Sequence, residues 1–128
     1  MIAEKLVSVS GASEVFTEGL VTYSNEAKMK RLGVKKETLD KYGAVSSETV
    51  EEMLSGLNTN IGIAVSGIAG PLGGTEEKPV GTVYVGIKIN EKIYIKKHLF
   101  KGDRERIRIR ACYTAINNLL QILRKEGM

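Results

Sequence analysis

Apolar positions recur along the chain with two different periods, and the change of period marks the predicted elements. Met1–Val9 sets Ile2, Leu6 and Val9 on one side of an amphipathic helix that has no start signal, and Gly11 breaks it. Val15–Tyr23 predicts a strand, with Leu20, Val21 and Tyr23 as strand formers around Gly19. Asn25–Leu32 reads as a helix stopped at Gly33, and Thr38–Tyr42 as a short helix closed by Gly43. Ser46 or Ser47 then caps a helix whose Val50, Met53, Leu54 and Leu57 fall at i, i+3, i+4 and i+7. Ile61–Val65, apolar and bounded by glycine, predicts an interior strand.

After a long loop, Ser66–Lys78, the period becomes two. Val83, Val85, Ile87 and Ile89 share one face of a strand; Thr82, Tyr84, Gly86 and Lys88 share the other. Asn90-Glu91 turns the chain into a second strand, Lys92–Leu99, so a β-hairpin is expected. Asp103 caps a last helix whose apolar face includes Cys112, Ala115, Ile116, Leu119 and Leu123. Helices interleaved with strands, plus one hairpin, imply an α/β layered domain with a mixed sheet, and residues 1–128 read as one domain without repeat or linker.

Composition narrows the function classes. No apolar run approaches the ~20 residues that span a bilayer, so no membrane is expected as a partner. The opening Met1-Ile2-Ala3-Glu4-Lys5-Leu6 carries an acid and no long apolar stretch, unlike a secretory signal. A lone cysteine, Cys112, allows no internal disulfide and suits a reducing cytoplasm. Nineteen basic against 15 acidic side chains leave +4, an excess that favours anionic ligands without establishing nucleic-acid binding. With no Trp and two Phe there is no set of base-stacking platforms, so nucleic acid is not the expected partner. His98 is the one histidine and lies in an alternating strand. Neither a multi-histidine metal site nor a Ser-His triad is available, and no metal is expected.

Three segments concentrate chemistry. Thr22–Lys28 holds a phenol, hydroxyls, an amide, an acid and an amine within seven residues, where a predicted strand becomes a helix. A lysine near a serine acts as a base if burial leaves its amine neutral. From spacing alone the simpler reading is that Ser24 or Asn25 caps the helix and Lys28 points to water. Ser13, just after Gly11, is either a presented hydroxyl or a cap. The loop Ser66-Gly67-Ile68-Ala69-Gly70-Pro71 is neither a Walker A loop nor a dinucleotide fingerprint. Its glycines would still let backbone N–H groups approach an anion. Arg104, Arg106, Arg108 and Arg110 crowd a helix start, against the dipole, where a guanidinium could fork onto phosphate or simply face solvent.

Five segments in this order resemble the CinA C-terminal domain family: Thr22–Lys28; Tyr42-Gly43-Ala44-Val45-Ser46; Ser66–Pro71; Glu77–Val83; and Gly102-Asp103-Arg104. The likeness runs from residue 1 nearly to the end. It implies a three-layer α/β/α domain with a mixed sheet and deamidation of nicotinamide mononucleotide to nicotinate mononucleotide and ammonia, without cofactor. Carried over by position, it makes Ser13 the nucleophile, Lys28 its base and Tyr23 a proton relay or orienting group. Ser24, Asn25, Ser66, Gly67 and Gly70 would hold the substrate or the oxyanion, and Arg104 the phosphate. Members of the family usually carry a helix, a first strand and a Glu-Ser-Cys-Thr-Gly-Gly motif ahead of the segment found here. The resemblance therefore implies a sheet without that strand, an impaired active site, and association into a homo-oligomer to cover the exposed edge. The alternative expectation is a non-catalytic nucleotide-binding or assembly module on the same fold.

Overall fold

The computed structural model describes residues 1–128. Five α-helices and three strands follow in the order α1 (Ile2–Val7), α2 (Asn25–Leu32), α3 (Lys36–Tyr42), α4 (Ser47–Ser55), β1 (Ile61–Gly67), β2 (Thr82–Ile89), β3 (Lys92–Leu99) and α5 (Arg104–Lys125). A single turn of 3₁₀ helix, Ala12–Glu14, lies between α1 and α2.

The strands pair in sequence order, β1-β2-β3, and both pairings are antiparallel. Alternation decides which side chains go where. Val83, Val85, Ile87 and Ile89 of β2 face α5 and join Ile107, Ala111 and Ala115 in one core cluster. Tyr84, Ile93 and Ile95 face the other way, packing against a second cluster built on Val50, Met53 and Leu54 of α4. The sheet is thus covered on both sides, giving the expected three layers.

The approach of α4 depends on one residue of β2. A Cβ placed on Gly86 would come within 2.8 Å of Leu54 Cδ1. Glycine there lets helix and strand close to contact.

Local signals explain the helix starts. The Ser46 hydroxyl accepts from Thr49 N–H at 3.1 Å and donates to Gly43 O at 2.9 Å, fixing the start of α4. Asp103 Oδ1 accepts from Arg106 N–H at 2.9 Å at the start of α5. Asn90 takes φ 55° in the two-residue turn between β2 and β3, a conformation asparagine tolerates better than most residues.

Four expectations need correction. Val15–Tyr23 is not a strand: it follows the 3₁₀ turn as irregular chain, and Val15, Val21 and Tyr23 stay exposed. Strand propensity without a neighbour to pair with leaves the backbone to water. The sheet is antiparallel throughout rather than mixed. β1 is an edge strand rather than an interior one, although its sequence lacks any charge. The first helix stops at Val7, so Val9 contributes nothing to its apolar face and is exposed.

Candidate active site

Lys28 is the one strongly buried amine of the chain, 6% exposed. It sits in the first turn of α2, which Ser24 opens by accepting from Ala27 N–H at 3.0 Å. That cap turns the preceding strip back, and the Lys28 Nζ donates to the carbonyl of Thr22 at 2.8 Å and, more weakly, to that of Tyr23 at 3.4 Å. No carboxylate pairs with it. Burial disfavours the ammonium, so the Lys28 pKa falls below the ordinary 10.5.

The rest of the Thr22–Lys28 strip is open. Tyr23 is 84% exposed and its phenol makes no hydrogen bond within the chain. Asn25 is exposed at the start of α2. Ser24 plays the capping part that spacing alone suggested. Ser13 lies exposed on the 3₁₀ turn; its hydroxyl bonds to no atom of the chain, and no hydrogen bond joins it to Lys28.

The glycine loop leaves the end of β1 and is held at several points. Ile68 N–H donates to Thr82 O at 2.9 Å and Gly81 N–H returns to Ile68 O at 2.7 Å, closing the loop's neck. Gly81 must be glycine, since its φ is +98° and a Cβ would collide with the Phe100 carbonyl. Lys78 Nζ donates to Tyr42 O at 2.6 Å, tying the loop to the end of α3. Arg104 Nη1 donates to Gly70 O at 2.8 Å, tying its other side to α5. Ala69 and Gly70 N–H groups have no acceptor within the chain, although Gly70 is buried.

These bonds sort the candidates. Ser66 is 9% exposed and its hydroxyl donates to Ala44 O at 2.7 Å, a structural duty. Gly67 has no room for a side chain, because a Cβ would meet Val83 Cγ2 at 2.7 Å. Arg104 spends one of its five donors on the loop and keeps the rest exposed. Arg106, Arg108 and Arg110 are exposed as well. The structure brings Lys28 together with the Thr22 and Tyr23 carbonyls, and Arg104 together with Gly70. The Lys78 tie was missed by sequence reasoning. Only its place beside the Pro79 turn hinted at a loop anchor.

Because Arg104 crosses from α5 to the loop, Arg104→Ala should loosen the loop without unfolding the domain. Limited proteolysis should cut between residues 68 and 80 faster in the variant, while global stability changes by about 1 kcal/mol.

Other recesses lie elsewhere. A shallow depression of about 1140 Å³ opens at the far end of the sheet, between the Asn60 and Asn90 turns and Glu126, and contains none of these residues. No group of His, Cys, Asp and Glu side chains is placed to hold a metal ion. No helix is long and apolar enough to cross a membrane.

An antiparallel sheet between two helical layers, with a buried amine that no carboxylate pairs and a tethered glycine loop, defines an α/β domain. The chain belongs to the CinA C-terminal domain family, whose model matches residues 1–123. It is 60% identical to a CinA-like protein of Fusobacterium nucleatum over 126 residues, covering 98% of this chain and 31% of that protein. A CinA-like protein of Kosmotoga olearia is 56% identical over 91% of this chain and 29% of its own length. The chain thus spans less than a third of the curated relatives it matches. Among solved structures, the competence damage-inducible protein A of Klebsiella pneumoniae superposes with TM-score 0.91 at 36% identity, covering 95% of this chain and 78% of that one. The competence/damage inducible protein of Agrobacterium tumefaciens gives TM-score 0.90 at 40% identity, over 94% and 76%.

Proposed function

We propose that this chain carries the catalytic lysine of an amidohydrolase that converts nicotinamide mononucleotide to nicotinate mononucleotide and ammonia. The observation that carries the proposal is the burial of the Lys28 amine with no carboxylate beside it. A neutral amine has two hydrogens and one lone pair. Donating the hydrogens to the Thr22 and Tyr23 carbonyls leaves the lone pair free to accept a proton. Burial without an acidic partner favours that neutral form.

The hydroxyl to be activated is Ser13, the position that the resemblance to the family implies; Ser24 caps α2 and Ser66 donates to Ala44 O. In the proposed reaction Lys28 takes the Ser13 proton as Oγ bonds to the amide carbon, and the carbonyl electron pair moves onto oxygen. The Ala69 and Gly70 N–H groups, without acceptors in the chain, suit that oxyanion. The proton passes to the amide nitrogen, ammonia leaves, and water then hydrolyses the seryl ester to free the carboxylate. Arg104 takes the phosphate with its remaining donors, Asn25 and Ser24 line the entrance, and Tyr23 orients the departing proton. The reaction would take place in the cytoplasm.

A second reading keeps the substrate and drops the chemistry: a nucleotide-binding module. It is favoured by the missing hydrogen bond between Ser13 and Lys28. Ammonia release from nicotinamide mononucleotide separates the two. Turnover that disappears in Ser13→Ala supports the hydrolase. Calorimetric binding of the mononucleotide with no ammonia across the neutral range supports the module and rejects the hydrolase for this chain.

A further inference from the structure

Three successive carbonyls at the corner between α3 and α4 are each taken by side chains. Tyr42 O accepts from Lys78 Nζ at 2.6 Å, Gly43 O from the Ser46 and Thr49 hydroxyls, and Ala44 O from the Ser66 hydroxyl at 2.7 Å. The middle carbonyl fixes the corner to α4, and the outer two hold the two ends of the glycine loop. Ser66 stands at the loop's root and Lys78 on its returning limb. Lys78 is half-buried, and neither ion pair of the chain involves it. Its ammonium goes instead to a neutral carbonyl, in a short, charge-assisted bond.

The returning limb is bound along its length. Lys78 N–H donates to Thr75 Oγ1 at 3.0 Å and Thr75 N–H to Lys78 O at 2.9 Å, closing the turn Thr75–Lys78. Apart from the Lys78–Tyr42 tie, no hydrogen bond joins this turn to the rest of the domain. Just beyond it, the Thr82 hydroxyl and N–H both donate to Pro79 O, at 2.7 and 3.0 Å. Between these holds, Val80 lies against the outgoing limb. A Cβ on Gly70 would collide with Val80 Cγ1, and one on Gly74 would meet Val80 N at 2.7 Å and Cγ2 at 2.9 Å. The Gly70 peptide is thus gripped by Val80, two residues from Lys78, and by Arg104 through its carbonyl.

We infer that Lys78 is a positioning residue of the proposed amidohydrolase. Bonded to Tyr42 O, it holds Val80 onto Gly70 and so fixes where the Ala69 and Gly70 N–H groups point. The inference rests on the reading of those two groups as the oxyanion site. An oxyanion exists only once the nucleophile has attacked, so donors that drift away cost turnover rather than substrate affinity.

Lys78→Met and Lys78→Arg test it, through deamidation kinetics with nicotinamide mononucleotide, amide hydrogen exchange and urea unfolding. Methionine keeps the stem and removes the donor; arginine restores a donor long enough to reach Tyr42 O. Lys78→Met should lower kcat about 10²-fold, the scale on which a misplacement of roughly 1 Å acts, with KM little changed. Exchange should quicken at Thr75 and Gly81, while Val85 and the urea midpoint hold. Lys78→Arg should recover most of the rate. A Lys78→Met variant with the parent's kcat overturns the inference, as does one whose loop exchange is unchanged. So does a lowered urea midpoint that Lys78→Arg restores without restoring kcat, which would make the tie structural only. A parent that releases no ammonia fails the hydrolase reading instead. The tie is then judged by exchange alone, quickened exchange at Thr75 and Gly81 in Lys78→Met sustaining it and unchanged exchange overturning it.

Discussion

If Lys28 is the base of the proposed reaction, replacing it with methionine should lower ammonia release from nicotinamide mononucleotide by about 10²–10⁴-fold, the usual contribution of a positioned general base. Methionine keeps most of the buried stem and removes the nitrogen, so the loss reports proton transfer rather than packing. Lys28→Arg should be equally inactive at every pH, because a guanidinium keeps its proton. Ser13→Ala should cost a similar factor. The double variant should be little worse than either single one, since in the proposed reaction nucleophile and base act as a unit. In the unsubstituted chain kcat/KM should rise with pH through the Lys28 pKa, which burial holds below 10.5. Stability moves in the same direction. The unfolded chain binds the Lys28 proton more tightly than the folded one, so the folded state is penalised below the folded pKa and recovers as pH climbs towards 10.5. Lys28→Met lacks this dependence. Urea midpoints of variant and parent, compared across pH, should therefore shift in the parent's favour on the alkaline side.

The hairpin and α4 were legible in the sequence because their signals are local. The alternation of Thr82–Ile89, the Asn90-Glu91 turn and the Ser46 cap each depend on residues a few positions apart, and each is found where expected. What failed was anything set by neighbours distant in sequence. Val15–Tyr23 has strand-forming residues, yet strand formation needs a partner backbone and none reaches it. Ile61–Gly67 has an interior strand's composition but a free edge, since periodicity reports apolar character and not the number of neighbours. Of the candidate site, spacing located the strip but could not tell a buried Lys28 from a solvated one. Burial of that amine follows from how the Thr22–Tyr23 carbonyls fold back over the first turn of α2. Arg104 was similarly ambiguous: at a helix start it could meet phosphate or solvent, and spacing gave no sign that a carbonyl 34 residues away takes one of its donors.

Leu54→Ala should be the most damaging single truncation of the core, costing about 2–5 kcal/mol. Leu54 is fully buried, and α4 is the helix that touches all three strands as well as α2 and α3. Removing its branched end leaves a void beside Gly86, the position on β2 that has no side chain to move into it. The opposite face cannot compensate, because α5 packs on Val83, Val85 and Ile87 with the sheet in between. The consequence also reaches the candidate site. Gly43 O accepts from both Ser46 and Thr49 at the head of α4, and the adjacent Ala44 O holds Ser66 at the root of the glycine loop. The Glu52 carboxylate on the same helix accepts from Lys35 N–H at 2.8 Å and from the Thr38 hydroxyl at 2.6 Å, docking the start of α3. A loosened α4 should thus release α3 and the loop before the β2–β3 hairpin. Urea unfolding should give the energetic loss, and amide exchange should show Thr49 and the loop neck at Gly81 opening ahead of Val85. Uniform exchange across the domain, or a loss well below the stated range, would mean that the neighbours of Leu54 relax into the space and that α4 does not couple the core to the loop.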